Sequence, residues 1–289
     1  MGRKPWHTAR HLPPGGPLNR DLTELLEEWP FQPGQINVRL IQGNDGEPRI
    51  QVRLDLGLLQ MFVDGRPDGQ RPHGFDSLLE YHEARIDELS AGAELAAQGQ
   101  DEEDEDETPE SLRILTPDEC RLLREEAVQY YHRYIALLVL EDYEGVARDT
   151  SRNLRVFDLL SEHAATEEDR RSMEQNRPYV MMMRARALAS MALRDDEPKA
   201  AVHAIEEGIE ALRQYYIDND ALEAFEQSGE VAMLREMRDA LVPKLPLSQK
   251  AELRQRLEAA IAAENYELAA ILRDELRLIG GDPSPPAKS

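Results

Sequence analysis

The chain has 289 residues, a formal net charge of -23 at pH 7 and a single cysteine, Cys120. Its length allows about two domains, and its acidity opposes direct binding to nucleic acid or an anionic membrane. One thiol excludes an intramolecular disulfide and a cysteine-rich zinc site, and no run of about 18 apolar residues suggests a spanning helix.

Residues 1–20 carry Arg3, Lys4, Arg10 and Arg20, no acid, and the breakers Pro13, Pro14, Gly15, Gly16 and Pro17. This composition predicts a disordered basic tail. No apolar stretch follows it, so a signal peptide is not expected and a cytoplasmic protein is the default. A small α+β domain is expected over 21–97. Ile36, Val38 and Leu40 alternate with polar residues, Gly43 to Pro48 is turn-rich, and Ile50, Val52, Leu54 and Leu56 alternate again. That period of two predicts an antiparallel hairpin with one apolar face. Leu58–Val63 adds a third strand. The capping-box form Ser77-Leu-Leu-Glu80, with Leu78, His82, Ile86 and Leu89 on one helical face, predicts a helix that covers the sheet.

The all-acidic run Asp101–Glu107 marks a solvated linker over 98–111, with an acidic docking strip for a basic partner as the alternative. From Thr116-Pro117, cap and first helical position, the chain reads as a helical domain over 112–246. Helices are expected over 122–140, 143–160, 167–193 with a bend at Pro178, 198–216, and from Gly229 to Pro243. Ala185, Leu188, Ala189, Ala192, Ala201, Ile205 and Gly208 sit at the small and apolar spacings of a helix pair that resembles a tetratricopeptide repeat. Tyr131, Tyr134, Leu138, Ala147 and Leu154 form a looser copy. The fold class expected is α+β, predominantly α.

Candidate chemistry is sparse. No phosphate-binding glycine loop, Gly-x-Ser-x-Gly elbow or His-Glu-x-x-His helix occurs. No catalytic residue, cofactor or metal site is therefore assigned. The dense stretch Asp64–Gly74 presents Arg66, Arg71 and His73, which could rim an anion beside the next helix N-terminus. The alternative is a strand-to-helix turn whose Asp-Gly steps supply special dihedrals. His82 lies on an apolar helix face without an i, i+4 ligand partner. Cys120 is expected in an exposed, charged first turn, and Met181, Met182 and Met183 are expected to fill core.

The most informative segment is near the C-terminus. Leu253, Leu257, Ala260 and Ile261 follow helical spacing, as do Ala269, Leu272, Leu276 and Ile279, with Gly280-Gly281 as a stop. Two apolar stripes around a polar bend predict a helical hairpin over 247–281, followed by a short disordered tail over 282–289. Tyr266-Glu267, Ala269-Ala270 and Leu272-Arg273-Asp274-Glu275-Leu276 resemble the UVR motif, found in UvrB, in UvrC, and in bacterial Clp chaperones and their adaptors. A unit below about 40 residues rarely buries enough surface to stand alone. The resemblance implies docking to another UVR-type hairpin or to a second copy. It points to Leu257, Ile261, Tyr266, Glu267, Ala270, Leu272, Arg273 and Leu276 as contact residues.

The function expected is a non-enzymatic interaction or adaptor protein. Two alternatives come from other classes, an accessory factor of nucleotide excision repair near DNA and an enzyme using the Arg66–His73 loop.

Overall fold

A computed structural model describes residues 21–98, 114–241, 249–262 and 272–273. The basic tail, nearly all of the acidic linker and the C-terminal tail lie outside the described residues. The contacts divide the chain into two compact units, the first ending at Gln175 and the second beginning at Asn176. The class is α+β and predominantly α, with one small antiparallel sheet followed by many helices.

The first unit opens with a short helix α1 (Thr23–Glu28), then β1 (Asn37–Gln42), β2 (Pro48–Leu54) and β3 (Gly57–Phe62) in the order β1-β2-β3. The period of two gives the expected antiparallel pairing, except that Leu56 falls in the turn between β2 and β3 and is exposed. Val38 faces Val52, Leu40 faces Ile50 and Ile50 faces Met61 on one side of the sheet, and Ile50, Val52 and Met61 are buried. The opposite side carries a polar row, in which Arg39 Nε donates to Gln51 Oε1 at 2.8 Å and Gln51 Nε2 to Gln60 Oε1 at 2.9 Å. Arginine planes close both ends, Arg39 lying 4.2 Å from the Trp29 ring and Arg49 3.6 Å from Phe62.

Three long helices follow, α2 (Leu78–Gln98), α3 (Pro117–Val139) and α4 (Tyr143–His163), with a single turn of helix α5 (Glu167–Arg171). Ser77 Oγ accepts from Glu80 N, as the sequence predicts. Thr116 and Glu119 form a reciprocal capping box at the start of α3. Here α3 packs on β2, across the acidic segment. A parallel bridge between Leu115 and Ala164 ties the entry of α3 to the exit of α4. The expected helix over 167–193 is in fact two, because the chain breaks after Arg171 and restarts with Pro178 in the first turn of the next helix. Cys120 is fully buried, a correction to the exposed position expected. Its neighbours in sequence are charged, but it points into the core, and burial pushes its thiol up to about 11.

His82 is likewise buried, with its Nδ1 unpartnered and 4.0 Å from a Glu119 oxygen. Burial first, and the nearby Arg85 second, push its pKa down to about 4. A depressed imidazole pKa disfavours protonation in the folded state, so its contribution is whole above about pH 6.5 and fades as pH falls towards 4. Acid should therefore cost about 2 kcal/mol at this residue between pH 7 and pH 5. Urea melts across that window check this, with His82→Leu expected to flatten the pH slope.

The second unit contains α6 (Arg177–Arg194), α7 (Pro198–Asp218), a turn of helix α8 (Leu222–Phe225), α9 (Gly229–Leu241) and α10 (Gln249–Ala262). α6 and α7 pack most extensively, and α9 completes their core. Gly208 makes the crossing possible, since a Cβ there would lie 2.4 Å from that of Ala185. Val180, Met182, Met183, Ala189, Ala201, Ile205 and Leu234 are buried in the same unit. No helix among the described residues is long and apolar enough to cross a membrane.

Three helices end in the same way. After α3, α6 and α7 a residue with positive φ, Glu141, Asp196 or Asp220, closes the last turn. The next amide then reaches back five residues, from Asp142 to Leu137, Glu197 to Ala192 and Ala221 to Tyr216. This is the Schellman motif, normally served by glycine. A non-glycine residue there carries about 1 kcal/mol of backbone strain. Glu141→Gly at an exposed position should raise stability by about 0.5–1 kcal/mol, read as a higher urea midpoint.

Candidate functional site

The C-terminal hairpin is built on α10. Leucines, alanines and arginines favour the helix, and the small side chain of Ala260 lets a second segment approach. Ala260 and Leu272 are both buried and pack together, with Leu257 half-buried against them. Leu272 thus folds onto the first leg, and the hairpin has a small core of its own. Ile261 does not join it. It is 52% exposed, on the helical face that also carries Arg254 and Glu258, both exposed. That face therefore sets one exposed apolar side chain between charges of both signs.

The loop after β3 has a different character. Arg66 Nε lies 3.1 Å from Asp68 and 3.3 Å from Glu126, without hydrogen-bond alignment to either. Arg71 pairs with Asp76 at 2.6 Å, both well exposed. His73 takes a positive φ of 52° and stacks on Tyr81 with ring centroids 4.1 Å apart. Arg71 and His73 thus each have a partner of their own, and Arg66 sits between two carboxylates. Gly69 crosses so close over Phe62 that a Cβ would sit 2.4 Å from the ring, so this step of the loop needs glycine.

Beneath the loop lies a buried charge network that the sequence did not announce. Arg133 donates through Nε and Nη2 to both oxygens of Asp149 at 2.6 and 2.8 Å, and both side chains are excluded from solvent. Its remaining Nη1 donates to the carbonyls of Phe62 and Gly65. Arg148 joins Asp149 to Asp64 at the loop's rim. Glu126, fully buried on α3, accepts from the amides of Leu78 and Leu79 and from Arg152. Burial, with Arg155 and Arg66 close by, pulls the Arg152 guanidinium down to about 9, still protonated at neutral pH. Every carboxylate in the network is engaged by an arginine or an amide, so its chemistry is that of a fastener between the β3 turn and the helices. Among the described residues no three His, Cys, Asp or Glu side chains are grouped to hold a metal ion.

The hairpin decides the comparison with known proteins. Residues 248–281 match the UvrB/uvrC motif, UVR. No curated protein and no solved structure matches the chain. The UVR match spans about a tenth of the sequence and coincides with the segment whose core is Ala260, Leu257 and Leu272. In UvrB and UvrC this motif is a protein-interaction module. Of the contact residues assigned from sequence, Arg273 is exposed, Leu257 half-buried, Leu272 buried and Ile261 exposed. Tyr266, Glu267, Ala270 and Leu276 of the UVR hairpin lie outside the described residues. The stripe read from spacing placed Ile261 with Leu257 and Ala260, but the hairpin's inner seam takes Ala260 and leaves Ile261 outward.

Proposed function

We propose that the chain is a non-enzymatic adaptor in the cytoplasm that docks a partner protein through the outer face of its UVR hairpin. The observation that carries this is the exposed Ile261 beside the buried, mutually packed Ala260 and Leu272. Because Leu272 and Ala260 satisfy each other inside the hairpin, the outward residues are available to a second surface. Burying an apolar side chain of this kind contributes about 2 kcal/mol before association costs, which suits a weak and reversible contact. The flanking Arg254 and Glu258 favour a partner hairpin that presents both signs of charge around an apolar centre.

The test is an affinity capture from source cells with the full-length chain and its Ile261→Glu variant. The variant should keep the wild-type thermal melt, since Ile261 is exposed, and should lose most of the proteins that the wild type captures. An unchanged set of captured proteins overturns the proposal.

A further inference from the structure

Among the described residues β1 is an edge of the sheet, pairing only with β2. Edge strands are commonly blunted by lysine, proline, a bulge or a covering segment. Residues 36–42, Ile-Asn-Val-Arg-Leu-Ile-Gln, contain no lysine or proline. Their register against β2 is regular from Asn37 to Gln42. The one charge, Arg39, lies on the polar side, bound to Gln51 and stacked on Trp29. On the apolar side the helical cover stops short of this strand. Ile50, Val52 and Met61 are buried, yet Ile36 is 50% and Leu40 57% exposed. Leu54 and Leu56, at the β2–β3 turn, are exposed as well.

We propose that this edge pairs with the β1 edge of a second copy, antiparallel about Val38, to give a continuous six-stranded sheet. A two-fold axis perpendicular to the sheet keeps both apolar faces on one side, and it must pass midway between the two copies of one residue because opposed residues share a face. Centring on Arg39 sets two guanidinium groups opposite each other. Centring on Leu40 sets Val38 against Gln42 and Ile36 against Asn44. Centring on Val38 sets Ile36 against Leu40 of the second copy, Val38 against itself, and Arg39 against the neutral Asn37. It is the register of the three that keeps apolar with apolar and opposes no like charges. Five paired residues span about 17 Å, which places the contact at the small end of interfaces, below about 1,200 Å². The dimer is therefore weak and concentration-dependent. With -23 on each copy, added salt screens repulsion and tightens it. The pairing makes no use of the hairpin, so it stands or falls apart from the adaptor role.

Sedimentation equilibrium of the full chain at about 150 mM and about 500 mM salt tests this. A monomer–dimer equilibrium that tightens with salt is expected. Ile36→Lys and Leu40→Glu, each altering two symmetry-related pairs at exposed positions, should each raise the dissociation constant about tenfold. The double variant I36K/L40E brings a new ammonium against a new carboxylate twice and should recover most of the loss. A monomer at all concentrations, a dimer indifferent to Ile36→Lys, or a double variant no better than the singles overturns the proposal. Should a charged variant fail to fold, Val38→Cys decides, because the chain's own Cys120 is buried. Mild oxidation should then link two copies through residue 38, and failure to link them counts against the pairing.

Discussion

Asp149→Ala lowers the stability of the first unit by about 3–5 kcal/mol, seen as a lower urea midpoint at unchanged slope. Arg133 would be left with its charge in the interior, held by the carbonyls of Phe62 and Gly65 and the face of the Tyr130 ring 4.8 Å away. Neutral carbonyls orient a guanidinium but do not cancel its desolvation cost. Arg133→Met should cost less, because Asp149 keeps the Arg148 bond at 3.0 Å. The double variant Arg133→Met with Asp149→Leu removes both charges and should recover most of the loss, since buried pairs can be exchanged for apolar groups at little net cost. A double variant as unstable as Asp149→Ala alone would mean that the site requires polarity and not charge balance.

Glu126→Leu should cost a similar amount, about 3–4 kcal/mol, but by a different route. The carboxylate is the distant cap of α2, taking the amides of Leu78 at 2.9 Å and Leu79 at 3.4 Å, which the helix cannot satisfy internally. It also neutralises Arg152 and faces Arg66. Removing it leaves unsatisfied amides and two cations with no buried anion beside them. Amide hydrogen exchange separates this from a general loss of stability: Leu78 and Leu79 should speed up more than the middle of α3 does. Glu126→Gln keeps an acceptor and loses the charge, and should fall between the wild type and the leucine variant. Equal exchange throughout the unit would show that Glu126 acts only through global stability.

The sheet was legible because its period of two is local, and the turn Gly43–Pro48 closes it within a few residues. The caps at Ser77 and Thr116 were legible for the same reason, each being a pattern of four residues. Arg133, Asp149, Glu126 and Arg152 were not. In sequence they occupy the polar positions of amphipathic helices, where charge normally means solvent. Only when α3 and α4 close on the β3 turn do their separations of 16 and 26 residues collapse to hydrogen-bond distance. Cys120 was misplaced by the reverse error, an apolar direction hidden among charged neighbours. The hairpin's spacing gave its seam but not its outward side, because Leu257, Ala260 and Ile261 fit more than one stripe until Leu272 selects Ala260.

The cap on α2 is supplied by α3, and the floor of the sheet is covered by α3 as well. The acidic stretch between those two helices is therefore a connection inside one folding unit. A protease that nicked it would yield two fragments that remain associated, each carrying what the other lacks. Expressed alone, the sheet-bearing half would have Ile50 and Val52 uncovered and its helix uncapped, so the two halves behave as complementing pieces and not as separable modules.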